Sequence, residues 1–350
     1  MFIALPTTRP PIRNNFDLNN LPKLAELSGT SSSPRISARG DDCDLISAMI
    51  RRKKFTLRLP SCKLVLGERT LIMGVLNVTP DSFSDGGQFL NAHSAIEHAF
   101  QMERAGADIL DIGGESTRPG SSGVSAQQEL DRVLPVLNQL RRRLKIPISI
   151  DTQKAEVAEA AVAAGAEIIN DVSALRSDPE LAKVARRHRL PIILMHIRGA
   201  PRNMQQGPFA RDVTRDVTRG LRDALARAKR FGIAKSQIIL DPGIGFGKNY
   251  AQNFELLARL PELARLGYPL LVGTSRKAFI GHALGSVAAE QRIWGTAATV
   301  AASILGGAHI VRVHDVAEMA QVAKIADSIA AARRVHKIEV SGNNRGMPLR

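Results

Sequence analysis

Aromatic side chains are scarce in this chain, 4% of 350 residues, with a single tryptophan and two tyrosines. Its core has to be packed from Ala, Val, Ile and Leu, a composition that suits parallel strands buried on both faces. Cysteine is scarcer still. Cys43 and Cys62 make neither a metal-ligand spacing nor a disulfide framework, so a reducing, cytoplasmic setting is expected. No apolar run reaches the roughly 18 residues that span a bilayer. The opening MFIALP is too short for the apolar region of a secretory signal, and no small-residue cleavage site follows it. Neither a membrane partner nor secretion is expected.

Acidic residues are outnumbered, 33 against 48 Lys and Arg, for a net charge of +15. An excess of this size invites a nucleic-acid reading, but its distribution weakens that reading. Residues 1–60 carry ten Lys and Arg against five Asp and Glu, and the last eighteen residues carry five against Glu339 alone. Much of the rest lies in helix-like stretches such as 137–145 and 224–232, where a solvated basic face is the simpler account. A basic field would also suit an anionic small molecule. No nucleic-acid partner is expected.

Residues 1–48 are rich in Pro, Ser, Asn and Asp without sustained periodicity, and are predicted to be a disordered extension. Met49 is a second possible start. Residues 49–70 show the alternation of a short hairpin, and residues 336–350 form a basic tail. Between them, over 71–335, short apolar runs alternate with longer Ala-rich amphipathic stretches. The strand candidates are 71–77, 107–113, 146–151, 166–171, 190–196, 236–241, 268–273 and 309–314. Helical stretches such as 94–106 and 152–165 separate them, and Gly106, Gly165, Gly232 and Gly267 follow helical runs, as helix-terminating glycines do. Eight β/α units predict a single-domain α/β fold, a (β/α)8 TIM barrel. A doubly wound open sheet is the competing architecture.

Barrels of this kind carry their sites at the C-terminal ends of the strands. Here those ends hold Asn77, Asp111, Asp151, Asn170, His196, Asp241, the Ser275-Arg276-Lys277 run, and Arg312 with His314. One such residue means little, since Asp151 could be no more than a helix cap. All eight strands ending in polar or charged groups point to a small-molecule site. Arg312, His314 and Lys277 can face an anion such as phosphate. Asp151, Asn170 and Asp241 can meet a flat heterocycle rich in N–H donors, and Asn77 offers a hard oxygen for Mg2+. The loops 78–87 and 113–123 are rich in Gly, Ser and Pro, the composition of mobile lids. GIGFG at 243–247 resembles a phosphate loop only weakly, because a strand-to-helix turn in any barrel can look the same. His93, His98, His188 and His282 are scattered and read as ordinary histidines. Trp294 is expected to pack a late helix and to contribute to a subunit interface.

MGVLNVTPDSFSDGG (73–87), GADILDIGGESTRPG (106–120), ISIDTQK (148–154), IINDVSAL (168–175), LMH (194–196), LDPGIGFGK (240–248), GTSRKAFIG (273–281) and RVHDV (312–316) occur in this order. Together they resemble the dihydropteroate synthase family, over about residues 71–330. The resemblance implies a TIM barrel that condenses 6-hydroxymethyl-7,8-dihydropterin diphosphate with p-aminobenzoate. The implied reaction is SN1-like and Mg2+-assisted, belongs to folate biosynthesis, and is run by a homodimer that sulfonamides target. It assigns Asp151, Asn170, Asp241 and Lys277 to the pterin, with Met195 lining that pocket. Asn77, Arg312 and His314 are assigned to the diphosphate, Asn77 also to Mg2+, and Asp111 to a carboxylate near the pterin. Phe83, Thr117, Arg118, Pro119, Phe246 and Ser275 shape the p-aminobenzoate site. Lys277, Arg118 and Asp111 are the residues it implies for catalysis. A pterin-dependent methyltransferase on the same barrel is the alternative, against which STRPG (116–120) and TSRK (274–277) argue.

Overall fold

The structure is a computed structural model, and it describes residues 52–79, 88–116, 121, 123–199 and 203–342. The expected extension 1–48, both loop tips and the end of the basic tail lie outside the described residues.

A hairpin comes first, β1 (Phe55–Arg58) antiparallel to β2 (Lys63–Leu66), with Phe55 opposite Leu66. Eight parallel strands follow: β3 (Leu71–Asn77), β4 (Ile109–Gly113), β5 (Ile148–Asp151), β6 (Ile168–Asp171), β7 (Ile192–Met195), β8 (Ile238–Asp241), β9 (Leu271–Val272) and β10 (Ile310–Val313). Their order is β8-β7-β6-β5-β4-β3-β10-β9, and a bridge between Leu240 and Leu270 joins the two ends. The sheet closes on itself as a TIM barrel, not an open doubly wound sheet. The helices between strands are α1 (Gln88–Arg104), α2 (Ala126–Leu140), α3 (Ala155–Ala163), α4 (Leu181–His188), α5 (Val213–Arg230), α6 (Tyr250–Ala258), α7 (Leu260–Ala264), α8 (Ala278–Ala283) and α9 (Ile293–Leu305); α10 (Val316–Gly342) ends the fold.

Local signals account for the helices. On α5, Val213, Val217, Leu221, Ala224 and Ala228 are buried at helical spacing, and the Asp212 side chain caps the first turn by accepting from Arg215 N. On α2, Ser125 and Gln128 form a reciprocal capping box. Gly106, Gly165, Gly232 and Gly267 all take left-handed φ values, from +75° to +109°, where glycine avoids the Cβ clash.

The strands alternate between two cores, as a period of two requires. Ile72, Leu110, Ile148, Ile150, Ile169, Leu194, Leu240 and Val311 face the helices. Leu71, Met73, Ile109, Ile168, Ile193, Ile239, Leu271 and Ile310 fill the barrel, and Leu57, Leu59 and Leu66 of the hairpin segment pack against them. The hairpin therefore plugs the N-terminal mouth with apolar side chains. Arg52, just before it, is buried and donates to Thr70 Oγ1 at 2.7 Å and to the Ala308 carbonyl at 3.1 Å. Two residues beyond the apolar layer the interior turns polar, and the site begins there.

Candidate active site

From Ile109, Ile168, Ile239 and Ile310 a step of two residues reaches Asp111, Asn170, Asp241 and Arg312, while Ile193 leads to Met195 and Ser149 to Asp151. Strand pleating alone points these side chains inward on one level. Asp111 is fully buried, and its Oδ2 accepts from Arg312 Nε at 2.6 Å and from Asn170 Nδ2 at 3.0 Å. Arg312 Nη2 also donates to Asp151 Oδ2 at 2.8 Å. One guanidinium fork thus spans two carboxylates from neighbouring strands. Gly113 borders Asp151 closely; a Cβ there would stand 3.5 Å from Asp151 Cβ.

Burial pushes the Asp151 carboxyl up to about 7; Arg312 opposes the rise, and Asp111, Glu129 and Asp171 add to it. Burial raises the Asp241 carboxyl too, against the pull of Lys277. It also draws the Lys277 amine down to about 8, with Asp241 opposing. Acids raised and an amine lowered at one end of a barrel are a pattern that functional sites share with structural ion-pair networks. Asp241 Oδ1 accepts from Gly243 N at 2.7 Å, which fixes the rotation of the carboxylate. Lys277 Nζ donates to the Ile244 carbonyl and stands 4.5 Å from the centre of the Phe246 ring. Ser275 Oγ accepts from His314 N at 3.2 Å and lies 3.0 Å from His314 Nδ1. Asn77 ends β3 on the inward-facing side, half-exposed. Met195, Val172, Ile197 and Met204 form an apolar wall that Phe246 extends.

The site therefore has a polar floor crossed by the Arg312 guanidinium, one apolar wall, and the Lys277 ammonium over Phe246. That arrangement suits a flat heterocycle with an anionic arm, the heterocycle hydrogen-bonding at its edge and packing on its face. Among the described residues no three His, Cys, Asp or Glu gather as a metal cage. The single hard oxygen of Asn77 fits a Mg2+ that takes its other ligands from phosphate and water. Phe83, Thr117, Arg118 and Pro119 lie outside the described residues.

Three expectations need correction. His196 follows the inward-facing Met195 and so points outward, onto α5, where a Cβ on Gly220 would approach its Cδ2 to 2.4 Å. Burial, with Lys248 beside it, keeps this imidazole neutral well below its ordinary titration range. Arg276 turns away from its neighbours and pairs with Asp315 at 2.5 Å. Trp294 is not packed into the fold but stands 81% exposed, which leaves its expected part in a subunit interface open. Other residues had been passed over. Lys154 pairs with Glu115 at 2.5 Å and with the fully buried Glu129 at 2.6 Å, tying the stem of the β4–α2 loop to α2. Lys154 and Lys248 end two of the motifs noted above, yet nothing in the sequence shows what their amines touch.

The class of protein follows from this barrel and cavity together with a family profile described as "Pterin binding enzyme", which matches residues 73–314. The Dihydropteroate synthase of Synechocystis sp. is 52% identical over 263 residues, 75% of this chain and 91% of that protein. A solved Dihydropteroate synthase of Xanthomonas albilineans with 4-aminobenzoic acid is 43% identical, with a TM-score of 0.75, covering 80% of this chain and 99% of that one. The Yersinia pestis Dihydropteroate Synthase solved as a sulfonamide drug complex is 45% identical, with a TM-score of 0.74 over 79% of this chain and all of that one (100%). This chain belongs to the dihydropteroate synthase family.

Proposed function

We propose that this chain condenses 6-hydroxymethyl-7,8-dihydropterin diphosphate with p-aminobenzoate, giving 7,8-dihydropteroate and diphosphate for folate synthesis. The observation that carries the reading is the convergence of Asp151, Asn170 and Asp241 on one level of the barrel, with Arg312 bridging Asp111 and Asp151 and the Lys277 charge acting on Asp241. Asp151 and Asp241 accept from the N–H edge of the pterin, Asn170 completes that edge, and Met195 packs against the ring. Arg312, His314 and Asn77 hold the diphosphate. Lys277, between Asp241 and the mouth, hydrogen-bonds the ring. Phe246 and Ser275 border the p-aminobenzoate, and Phe83, Thr117, Arg118 and Pro119 are assigned to the same substrate by family membership.

Mg2+ bound at Asn77 and the diphosphate would neutralise charge on the departing group. The carbon–oxygen bond to diphosphate breaks with its electron pair leaving on oxygen. The electron-poor methylene carbon then takes the lone pair of the aniline nitrogen, which sheds a proton. The amine is already nucleophilic, so no Ser, Cys or His nucleophile is required of the protein. The test is incubation of the enzyme with pterin diphosphate, p-aminobenzoate and Mg2+, with dihydropteroate as the readout. Loss of turnover on chelation and its recovery with Mg2+ checks the metal. Sulfonamide competition against p-aminobenzoate separates this reading from a pterin-dependent methyltransferase.

A cytoplasmic homodimer is part of the proposal. Trp294, Leu284, Ile325 and Ile329 are 81%, 48%, 64% and 44% exposed, on or beside α8, α9 and α10. Large apolar side chains exposed on these neighbouring elements favour association. Sedimentation equilibrium should show a dimer that Trp294→Asp weakens, and a monomeric wild type would refute it.

A further inference from the structure

The β8–α6 turn ends in a lysine for which the reaction has no use. Lys248 is 2% exposed, and its amine is turned onto acceptors of the protein itself. Its Nζ donates to the carbonyls of Gly243 at 2.8 Å, Phe246 at 2.9 Å and His196 at 3.4 Å, and lies 3.1 Å from His196 Nδ1. Burying an amine this deeply is costly unless its donors are satisfied; the cost shows in its pKa, drawn down by burial to about 7. The four acceptors belong to two segments, the end of β7 and the glycine turn 243–247. The side chain therefore staples one to the other.

The turn needs a staple because it lies flat on its neighbours. Gly243, Gly245 and Gly247 have φ values of +66°, +85° and +69°. A Cβ at Gly243 would fall 1.9 Å from the His196 carbonyl oxygen, and one at Gly247 would fall 2.3 Å from that of Arg198. The opposite side of the turn carries Lys277. A Cβ on Gly245 would approach Lys277 Cδ to 2.9 Å, the Ile244 carbonyl accepts from Lys277 Nζ, and the Phe246 ring lies beneath that ammonium. The hydrogen bond and the ring contact of the Lys277 amine thus both come from the turn that Lys248 pins.

We infer that Lys248 is a positioning residue, which holds turn 243–247 against β7 so that Lys277 and Phe246 stand where the substrates need them. This inference rests on the proposed function. Its test is a mutant cycle on the full-length enzyme, with the dissociation constant of pterin diphosphate measured by calorimetry. Lys248→Met should weaken binding about tenfold, the loss of one charge-assisted contact made from a correctly placed Lys277. In a Lys277→Met background the same substitution should cost no more than about twofold, because the group being positioned is gone. In an Asn77→Ala background it should still cost about tenfold. Equal losses in the two backgrounds would show ordinary destabilisation and overturn the inference, as would unchanged affinity in Lys248→Met. Should the Met variant fail to fold, Lys248→Gln, which keeps two donors, carries the same cycle. A wild-type enzyme that neither binds pterin diphosphate nor forms dihydropteroate would instead defeat the functional reading.

Discussion

Replacing Asp241 by Asn changes one atom of the site and nearly nothing of its shape. Asp241 is 7% exposed, and its Oδ1 is held by Gly243 N at 2.7 Å. An asparagine amide can keep that bond through its own oxygen, which leaves its NH2 facing the pocket. There a donor would meet the N–H edge of the pterin, and the ligand would lose a charge-assisted bond worth roughly 1.5–3 kcal/mol. Affinity for pterin diphosphate should fall about tenfold to a hundredfold, at 1.4 kcal/mol per factor of ten. Stability should hold or rise slightly, because a buried carboxylate disfavoured by its surroundings has been removed. Lys277 should titrate further below its value of about 8, since Asp241 is the charge that supports it. Calorimetry measures the affinity, and a thermal melt confirms the fold. Unchanged affinity at an unchanged melting temperature would take Asp241 out of the pterin contact and refute the reasoning.

A chain beginning at Met49 should melt and turn over as the full chain does, because it keeps Arg52, on Thr70 Oγ1 and the Ala308 carbonyl, and the hairpin that follows; a large loss in either measurement would place residues 1–48 within the folded domain. His309, 2% exposed, accepts from Leu270 N at 3.1 Å, and burial draws its pKa from 6.5 to about 4. A depressed histidine stabilises the fold above its unfolded pKa, so this contribution is lost as pH falls from 6.5 to about 4. Urea unfolding should show the gap between wild type and His309→Gln narrowing by about 3 kcal/mol over that window, and a constant gap would refute it. Asp151, raised to about 7, acts oppositely and costs stability as pH rises from 3.8, so only the difference between the two proteins isolates His309. Finally, p-aminobenzoate should bind weakly alone and much more tightly once diphosphate, Mg2+ and a pterin are present, since a first ligand that favours the binding-competent state raises the affinity of the second. Arg118→Ala should erase most of that gain while sparing pterin affinity; equal affinities with and without diphosphate would mean a preformed site.

The barrel was legible in the chain because its signals are local. Eight apolar runs, amphipathic stretches at helical spacing and glycines at helix ends each depend on neighbours a few residues away. The polar residues at the strand ends were legible for the same reason, as were the long motifs that contain them. Which way those residues face was not. In a parallel strand buried on both sides, Met195 and His196 sit in equally apolar company, and no alternation tells inside from outside. Only closure of the ring decides that Met195 lines the cavity while His196 packs on α5. Long-range partners were hidden as well. Arg312 meets Asp111 across 201 residues of sequence and Asp151 across 161, and Lys248 reaches back 52 residues to His196. Local patterns determine which elements form and which residue types end them. Hydrogen bonds and shifted pKa values at the site depend on distances and burial that arise only when eight separate strands are brought around one axis.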